Sequence, residues 1–213
     1  MIESVIFDCD GVLVDTEPTS TRVLAGLLTE AGLPTTLDDC LRQYRGHAMK
    51  SVLADATSRL GRPLPFDVGA RYYAEIESAF RVGLAPIGGI VDALDRITLP
   101  SCVASSGPHH KMEVTLRITG LWDRFDGRIF SATEVAAGKP APDLFLYAAG
   151  RMGFDPSTTA VVEDSLAGVQ AAVAAGMRAL AYARDTDPVE LARAGGEPFD
   201  DMADLPRLLR AGY

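Results

Sequence analysis

Ser4-Val5-Ile6-Phe7-Asp8-Cys9-Asp10-Gly11 decides how this chain is read. Val5, Ile6 and Phe7 are consecutive apolar residues, two of them β-branched, and they run straight into two acids and a glycine. Such a run suits a strand buried on both faces in a parallel sheet, and the abrupt polar stop puts the acids at its carboxyl end. Three more runs share the design: Ser101 to Ala104, Thr159 to Val162 and Arg178 to Ala183. Ile87 to Ile97, Pro108 to Thr119, Pro142 to Met152 and Ser165 to Ala175 carry apolar residues at helical period. The alternation predicts an α/β fold, an open and doubly wound parallel sheet with helices on its faces.

Roughly 70 residues without a convincing strand separate the first run from the second, far more than an ordinary crossover of a dozen or so. The stretch reads as an inserted helical cap over residues 14–84, with the core formed by residues 1–13 and 85–213. Val23, Leu24, Leu27, Leu28 and Ala31 make one helical face, stopped by Gly32 and Pro34. Tyr72, Ile76 and Phe80 make another, ending at Gly83.

Composition narrows the function classes. A chain of 213 residues with 47% apolar and 23% charged residues can bury a substantial core. Its formal net charge of −9 argues against a non-specific nucleic-acid binder, which needs a surplus of Lys and Arg on one face. Cys9, Cys40 and Cys102 match neither a metal spacing nor an even disulfide framework, which favours a reducing, cytoplasmic compartment. No apolar run approaches the roughly 20 residues that span a bilayer, so no membrane partner is expected.

Ligands of an open parallel sheet bind beyond the carboxyl ends of its strands, so polar residues directly after each run share one rim. The rim should carry Asp8 and Asp10 after the first run, Ser105, Ser106 and Gly107 after the second, and Glu163 and Asp164 after the third. Lys139 stands in Gly138-Lys139-Pro140, just ahead of a helix that Pro142 can start. Asp185-Thr186-Asp187 repeats the acid spacing but precedes Pro188, as a solvated turn or helix cap would.

Suppose the rim binds a phosphate ester. A carboxylate approaching the dianion meets repulsion of roughly 8 kcal/mol at about 4 Å and an effective dielectric near 20. Cations are then required. Asp8, Asp164 and the backbone carbonyl of Asp10 suit Mg²⁺, with Glu163 either a ligand or a support for Asp164. Lys139 would neutralise remaining charge, and Ser105, Ser106 and nearby amides would hold the equatorial oxygens. Asp8 is the natural nucleophile and Asp10 the general acid and base. Arg45, His47 and Lys50 flank Gly46 between two predicted cap helices; they either read the rest of the substrate or form an exposed helix start.

Four motifs in order resemble the haloacid dehalogenase superfamily, in the group of small-molecule phosphatases and phosphomutases with an α-helical cap. They are Asp8-Cys9-Asp10-Gly11-Val12-Leu13-Val14-Asp15-Thr16-Glu17, the strand ending at Ser105, Lys139-Pro140-Ala141-Pro142-Asp143, and Val161-Val162-Glu163-Asp164-Ser165-Leu166-Ala167-Gly168. The resemblance implies a Rossmann-like core, a mobile cap, Mg²⁺ and an aspartyl-phosphate on Asp8. Asp10 argues against dehalogenation, which needs no proton for a leaving alkoxide. The similar β-phosphoglucomutases place a histidine on the cap soon after the first motif, where this chain reads Glu17-Pro18-Thr19-Ser20-Thr21. Arg45-Gly46-His47, the segment from Cys102 to Pro108, and Lys111-Met112-Glu113 look more like sugar-acid phosphatases of the 6-phosphogluconate type. The expectation is a phosphatase acting on a small phosphorylated metabolite, with a phosphomutase and a non-catalytic sugar-phosphate sensor as rivals.

Overall fold

The computed structural model describes residues 1–44 and 49–210. Along the chain come β1 (Ser4–Phe7), α1 (Glu17–Glu30), α2 (Leu37–Tyr44), α3 (Met49–Leu60), α4 (Val68–Gly83), α5 (Ile90–Arg96), β2 (Ser101–Ser105) and α6 (His109–Ile118). There follow α7 (Trp122–Phe125), β3 (Ile129–Ser131), α8 (Asp143–Met152), β4 (Thr159–Glu163), α9 (Leu166–Ala174), β5 (Arg178–Tyr182), α10 (Pro188–Arg193), β6 (Glu197–Phe199) and α11 (Leu205–Arg210). The strands form one sheet, ordered β3-β2-β1-β4-β5-β6, with every pairing parallel.

Both faces of the sheet are buried, which is why its strands read as unbroken apolar runs. Val5, Phe7, Val103, Val162 and Leu180 pack on one side with Ile90 of α5, Met112 and Leu116 of α6, and Leu205 of α11. Ile6, Cys102, Ala104, Val161 and Ala179 pack on the other with Phe145 and Ala148 of α8, Val169 of α9 and Leu191 of α10. Each fully buried side chain of this size contributes roughly 1.5–3 kcal/mol. Trp122, Leu121 and Phe125 belong to the first of these clusters, and Arg117 stacks over the indole at 4.4 Å.

The sheet order positions the site. From β1 the chain winds outward through β2 to β3, then returns to place β4 on the opposite side of β1. The winding therefore reverses between β1 and β4, the place where open α/β sheets bind their ligands. The acid-bearing ends of the sequence are the ends of these two strands.

Thr16–Leu84 form a second compact unit, and Met1–Asp15 with Ala85–Tyr213 form the first. In the second, Leu24, Leu27, Leu28 and Ala31 from the first helical face pack with Tyr44, Val52, Ala56 and Val68. Asp67 caps α4, accepting a hydrogen bond from the Ala70 amide at 2.8 Å. The boundary expected after residue 13 falls after Asp15 instead. The Gly11 amide donates to the Val14 carbonyl at 2.9 Å, Val14 forms a bridge to Pro86, and the Asp15 amide donates to the Ala85 carbonyl at 2.9 Å. Among the described residues no helix is long and apolar enough to cross a membrane.

Candidate active site

Asp8 is the first residue beyond β1, and its amide donates to the Val162 carbonyl of β4 at 3.0 Å. That bond holds the carboxylate at the reversal point. Lys139, from the loop before α8, places its Nζ 2.6 Å from Asp8 Oδ1 and 2.7 Å from Glu163 Oε1. The three side chains are only 5%, 9% and 1% exposed for Lys139, Asp8 and Glu163 respectively, so these are buried ion pairs. The Lys139–Pro140 peptide is cis.

Glu163 has both oxygens engaged. Its Oε2 accepts from the Ser165 amide at 2.7 Å and from the Ser165 hydroxyl at 2.9 Å. Ser165 in turn caps α9, its Oγ accepting from the Gly168 amide at 3.1 Å. A Cβ on Gly168 would overlap the Glu163 carboxylate, and a Cβ on Gly11, whose φ is +81°, would overlap the Asp164 carboxylate. Two glycines thus clear the space into which two acids are packed.

Asp8, Glu163 and Asp164 each offer a carboxylate oxygen, all within 4.8 Å of one another. Burial pushes Asp8 up to about 7, with Glu163 and Asp10 adding repulsion against the pull of Lys139. Burial and the same acidic neighbours push Asp164 well up. Burial would lower the Lys139 pKa, but Asp8 and Glu163 more than offset it and raise it. Four carboxylates (Asp8, Asp10, Glu163, Asp164) meet two ammonium groups, Lys139 and Lys111. An all-oxygen donor set short of positive charge fits a hard divalent cation.

The Asp10 carboxylate is directed elsewhere, with Lys111 Nζ of α6 at 2.7 Å from its Oδ2. Beside this pair the buried Ser105 hydroxyl accepts from the Gly107 amide at 3.2 Å. A Cβ on Gly107 would touch the Ser105 hydroxyl, the Asp10 carboxylate and the Lys111 chain at 3.5 to 3.8 Å, so all three border one small space. Ser131 fastens the turn, donating from Oγ to the Gly107 carbonyl at 2.8 Å.

Asp8, Lys139, Glu163 and Asp164 are thus brought together, and Asp10 and Ser105 meet beside them. Ser106 is exposed on the turn, and Lys50 is exposed on α3 in the other unit. Arg45 and His47 lie outside the described residues. Asp187 caps α10 through the Val189 amide at 2.8 Å and Asp185 pairs with Arg184, so the second acid pair is structural. Cys9 is buried and its thiol is pushed well up by burial and by Asp10 and Asp8, which keeps it from acting as a thiolate. Ser131 has no sequence signal for its place here, and Lys111 enters the sequence reading only as part of Lys111-Met112-Glu113, with no role given to it. Only the place of Gly168 in the fourth motif hinted at a role for it.

Taken together, a parallel sheet whose winding reverses between two carboxylate-bearing strand ends, with a buried lysine tying those ends, defines an α/β enzyme built around charge-dense oxygen chemistry. Residues 2–176 match the haloacid dehalogenase-like hydrolase family. The chain is 29% identical over 211 residues to the 6-phosphogluconate phosphatase of Escherichia coli, covering 99% of this chain and 96% of that protein. A haloacid dehalogenase-like protein of unknown function from Agrobacterium tumefaciens superposes with a TM-score of 0.88 at 33% identity, covering 98% of each chain. A protein assigned as a β-phosphoglucomutase from Thermotoga maritima superposes with a TM-score of 0.82 at 27% identity, covering 98% of this chain and 99% of that one. The chain belongs to the haloacid dehalogenase-like hydrolase family and is an enzyme of the phosphatase type.

Proposed function

We propose that this enzyme hydrolyses the phosphate monoester of a small sugar or sugar acid, with 6-phosphogluconate the first candidate, through an aspartyl-phosphate on Asp8. The observation that carries the reading is the buried cluster at the reversal of the sheet, where Lys139 lies 2.6 Å from Asp8 and Asp164 lies alongside. Asp8 and Asp164 would hold Mg²⁺, and Glu163, occupied by Lys139 and Ser165, supports them from behind. The ion supplies the positive charge that offsets the roughly 8 kcal/mol of carboxylate–phosphate repulsion.

In the first step Asp8 attacks phosphorus, the ester P–O bond breaks, and Asp10 gives its proton to the departing alkoxide. In the second, Asp10 takes a proton from water as the water oxygen attacks phosphorus. The Asp8–phosphorus bond then breaks, and inorganic phosphate leaves with Asp10 protonated again. Lys139, Ser105 and the turn amides around Gly107 stabilise the phosphoryl oxygens during both transfers.

The likeness to a β-phosphoglucomutase supports a second reading, in which the phosphate returns to the sugar. Glu17-Pro18-Thr19-Ser20-Thr21, where those enzymes carry a cap histidine, speaks for the hydrolase. The test is phosphate release from a panel of phosphorylated sugars, sugar acids and nucleotides with Mg²⁺, for wild type and Asp8→Asn. Release from a sugar-class ester, abolished in the variant and by chelation, is expected. Turnover that requires catalytic sugar bisphosphate and frees little phosphate would instead establish the mutase, and full activity of Asp8→Asn would remove the covalent step.

A further inference from the structure

Lys111 has no part in the scheme above, yet it is the ion-pair partner of the residue that must move protons. It lies in the first turn of α6, and its Nζ reaches 2.7 Å from Asp10 Oδ2 across 101 residues of sequence. The pair is only part-buried, with side chains 36% and 30% exposed, so its value to stability is that of a surface pair, about 0–1 kcal/mol. Stability alone gives little reason for the contact. Geometry gives a better one. Asp10 sits on the loop leaving β1, where a carboxylate has several rotamers, whereas Lys111 is carried by a helix whose Met112 and Leu116 are fixed in the core. The Lys111 chain also passes the turn at Gly107, next to the Ser105 hydroxyl. A helix-borne ammonium thus ties the acid to the same turn that faces the phosphoryl oxygens.

The geometry points to Lys111 as the positioning residue for Asp10, holding its carboxylate by Oδ2 in the pose from which it exchanges a proton with the leaving oxygen. This rests on the reading of Asp10 as proton donor. Misplacing a catalytic group by about 1 Å costs on the order of 10²-fold, and general acid catalysis as a whole contributes roughly 10²–10⁴-fold. The loss should therefore depend on how much the leaving group needs its proton.

The experiment compares wild type, Lys111→Met, Lys111→Arg, Asp10→Asn and the Lys111→Met/Asp10→Asn double variant with Mg²⁺. Two kinds of ester are used: p-nitrophenyl phosphate, whose leaving group is stable as an anion, and the fastest of 6-phosphogluconate, fructose 1-phosphate and glucose 6-phosphate. Lys111→Met is expected to lower the alkyl-to-aryl ratio of kcat/KM, which reports only the steps up to the first transfer and not the water attack common to both esters, by about 10-fold or more. Lys111→Arg should restore most of the ratio, and adding Lys111→Met to Asp10→Asn should change kcat by less than about 2-fold, because the two act as one unit. Equal losses of kcat/KM on both esters, or a full Lys111 effect in the Asp10→Asn background, would overturn the inference. Failure of the underlying reading looks different: Asp10→Asn would lower kcat/KM of both esters alike, or wild type would turn over no sugar ester at all.

Discussion

Gly11 and Gly168 stand where a methyl group would run into a carboxylate. Gly168→Ala sets two effects against each other, a helix-propensity gain of roughly 0.5–1 kcal/mol and a packing cost of about 1–3 kcal/mol for forcing Glu163 aside. We expect the cost to win, with Tm falling by roughly 2–4 °C per kcal/mol for a chain of this size and turnover falling as Lys139 loses its second anchor. A scanning calorimetry trace at or above the wild-type Tm would show that Glu163 has room to move. Gly11→Ala adds backbone strain at a φ of +81° to a collision with Asp164, so it should raise the Mg²⁺ concentration needed for half-maximal activity. Lys139→Met leaves Asp8 and Glu163 facing each other without their shared ammonium. Removing one partner of a buried pair costs about 3–5 kcal/mol, lessened here as Asp8 takes up a proton, and kcat should drop by at least about 10².

Among the elements, the turn after β3 shows how the loop that follows β2 is braced. Glu134 accepts from the Ser131 amide at 2.7 Å and lies 2.8 Å from His109 Nε2 of α6, while the Tyr147 hydroxyl of α8 donates to it at 3.0 Å. Partial burial raises the Glu134 pKa, but these contacts more than offset it and hold the carboxyl below its ordinary value of 4.5. A depressed acid stabilises the fold above its unfolded-state pKa and loses that contribution as pH falls through its folded-state value. Glu134→Gln should therefore lower Tm at pH 7 and converge on wild type only once the pH has fallen below the depressed folded-state value, as melting curves from neutral into acid would reveal; a gap that persists in acid would assign the effect to shape instead of charge. The four central strands were legible because burial on both faces demands apolar residues along their middles, as in Val5-Ile6-Phe7, Cys102-Val103-Ala104, Ala160-Val161-Val162 and Ala179-Leu180-Ala181. β3 and β6 were not: each is three residues long, each pairs on one side only, and β6 contains Pro198, which an edge strand tolerates.

At the scale of the whole molecule, the acids and Lys139 could be read because each follows a strand or precedes a proline-started helix, and parallel topology gathers such positions on one rim. Lys111 could not be read that way. It belongs to a helix turn, and only the fold brings it to Asp10. The two-residue shift of the boundary has a related origin, since a turn fastened by hydrogen bonds between Gly11, Val14, Asp15 and Ala85 has no apolar period to announce it. Those bonds make one more prediction. Because the Asp15 amide meets the Ala85 carbonyl at 2.9 Å, residues 16–84 can be removed and the ends joined by a short glycine–serine link. The remaining chain should keep its far-ultraviolet circular dichroism for an α/β sheet and unfold in a single transition; a featureless spectrum would mean that the two units fold only together. The chain departs from the sheet and comes back to it through neighbouring doors, two residues bonded backbone to backbone. Chain of any length can be let out through that doorway, and the register of the acids at the sheet's seam is left as it was.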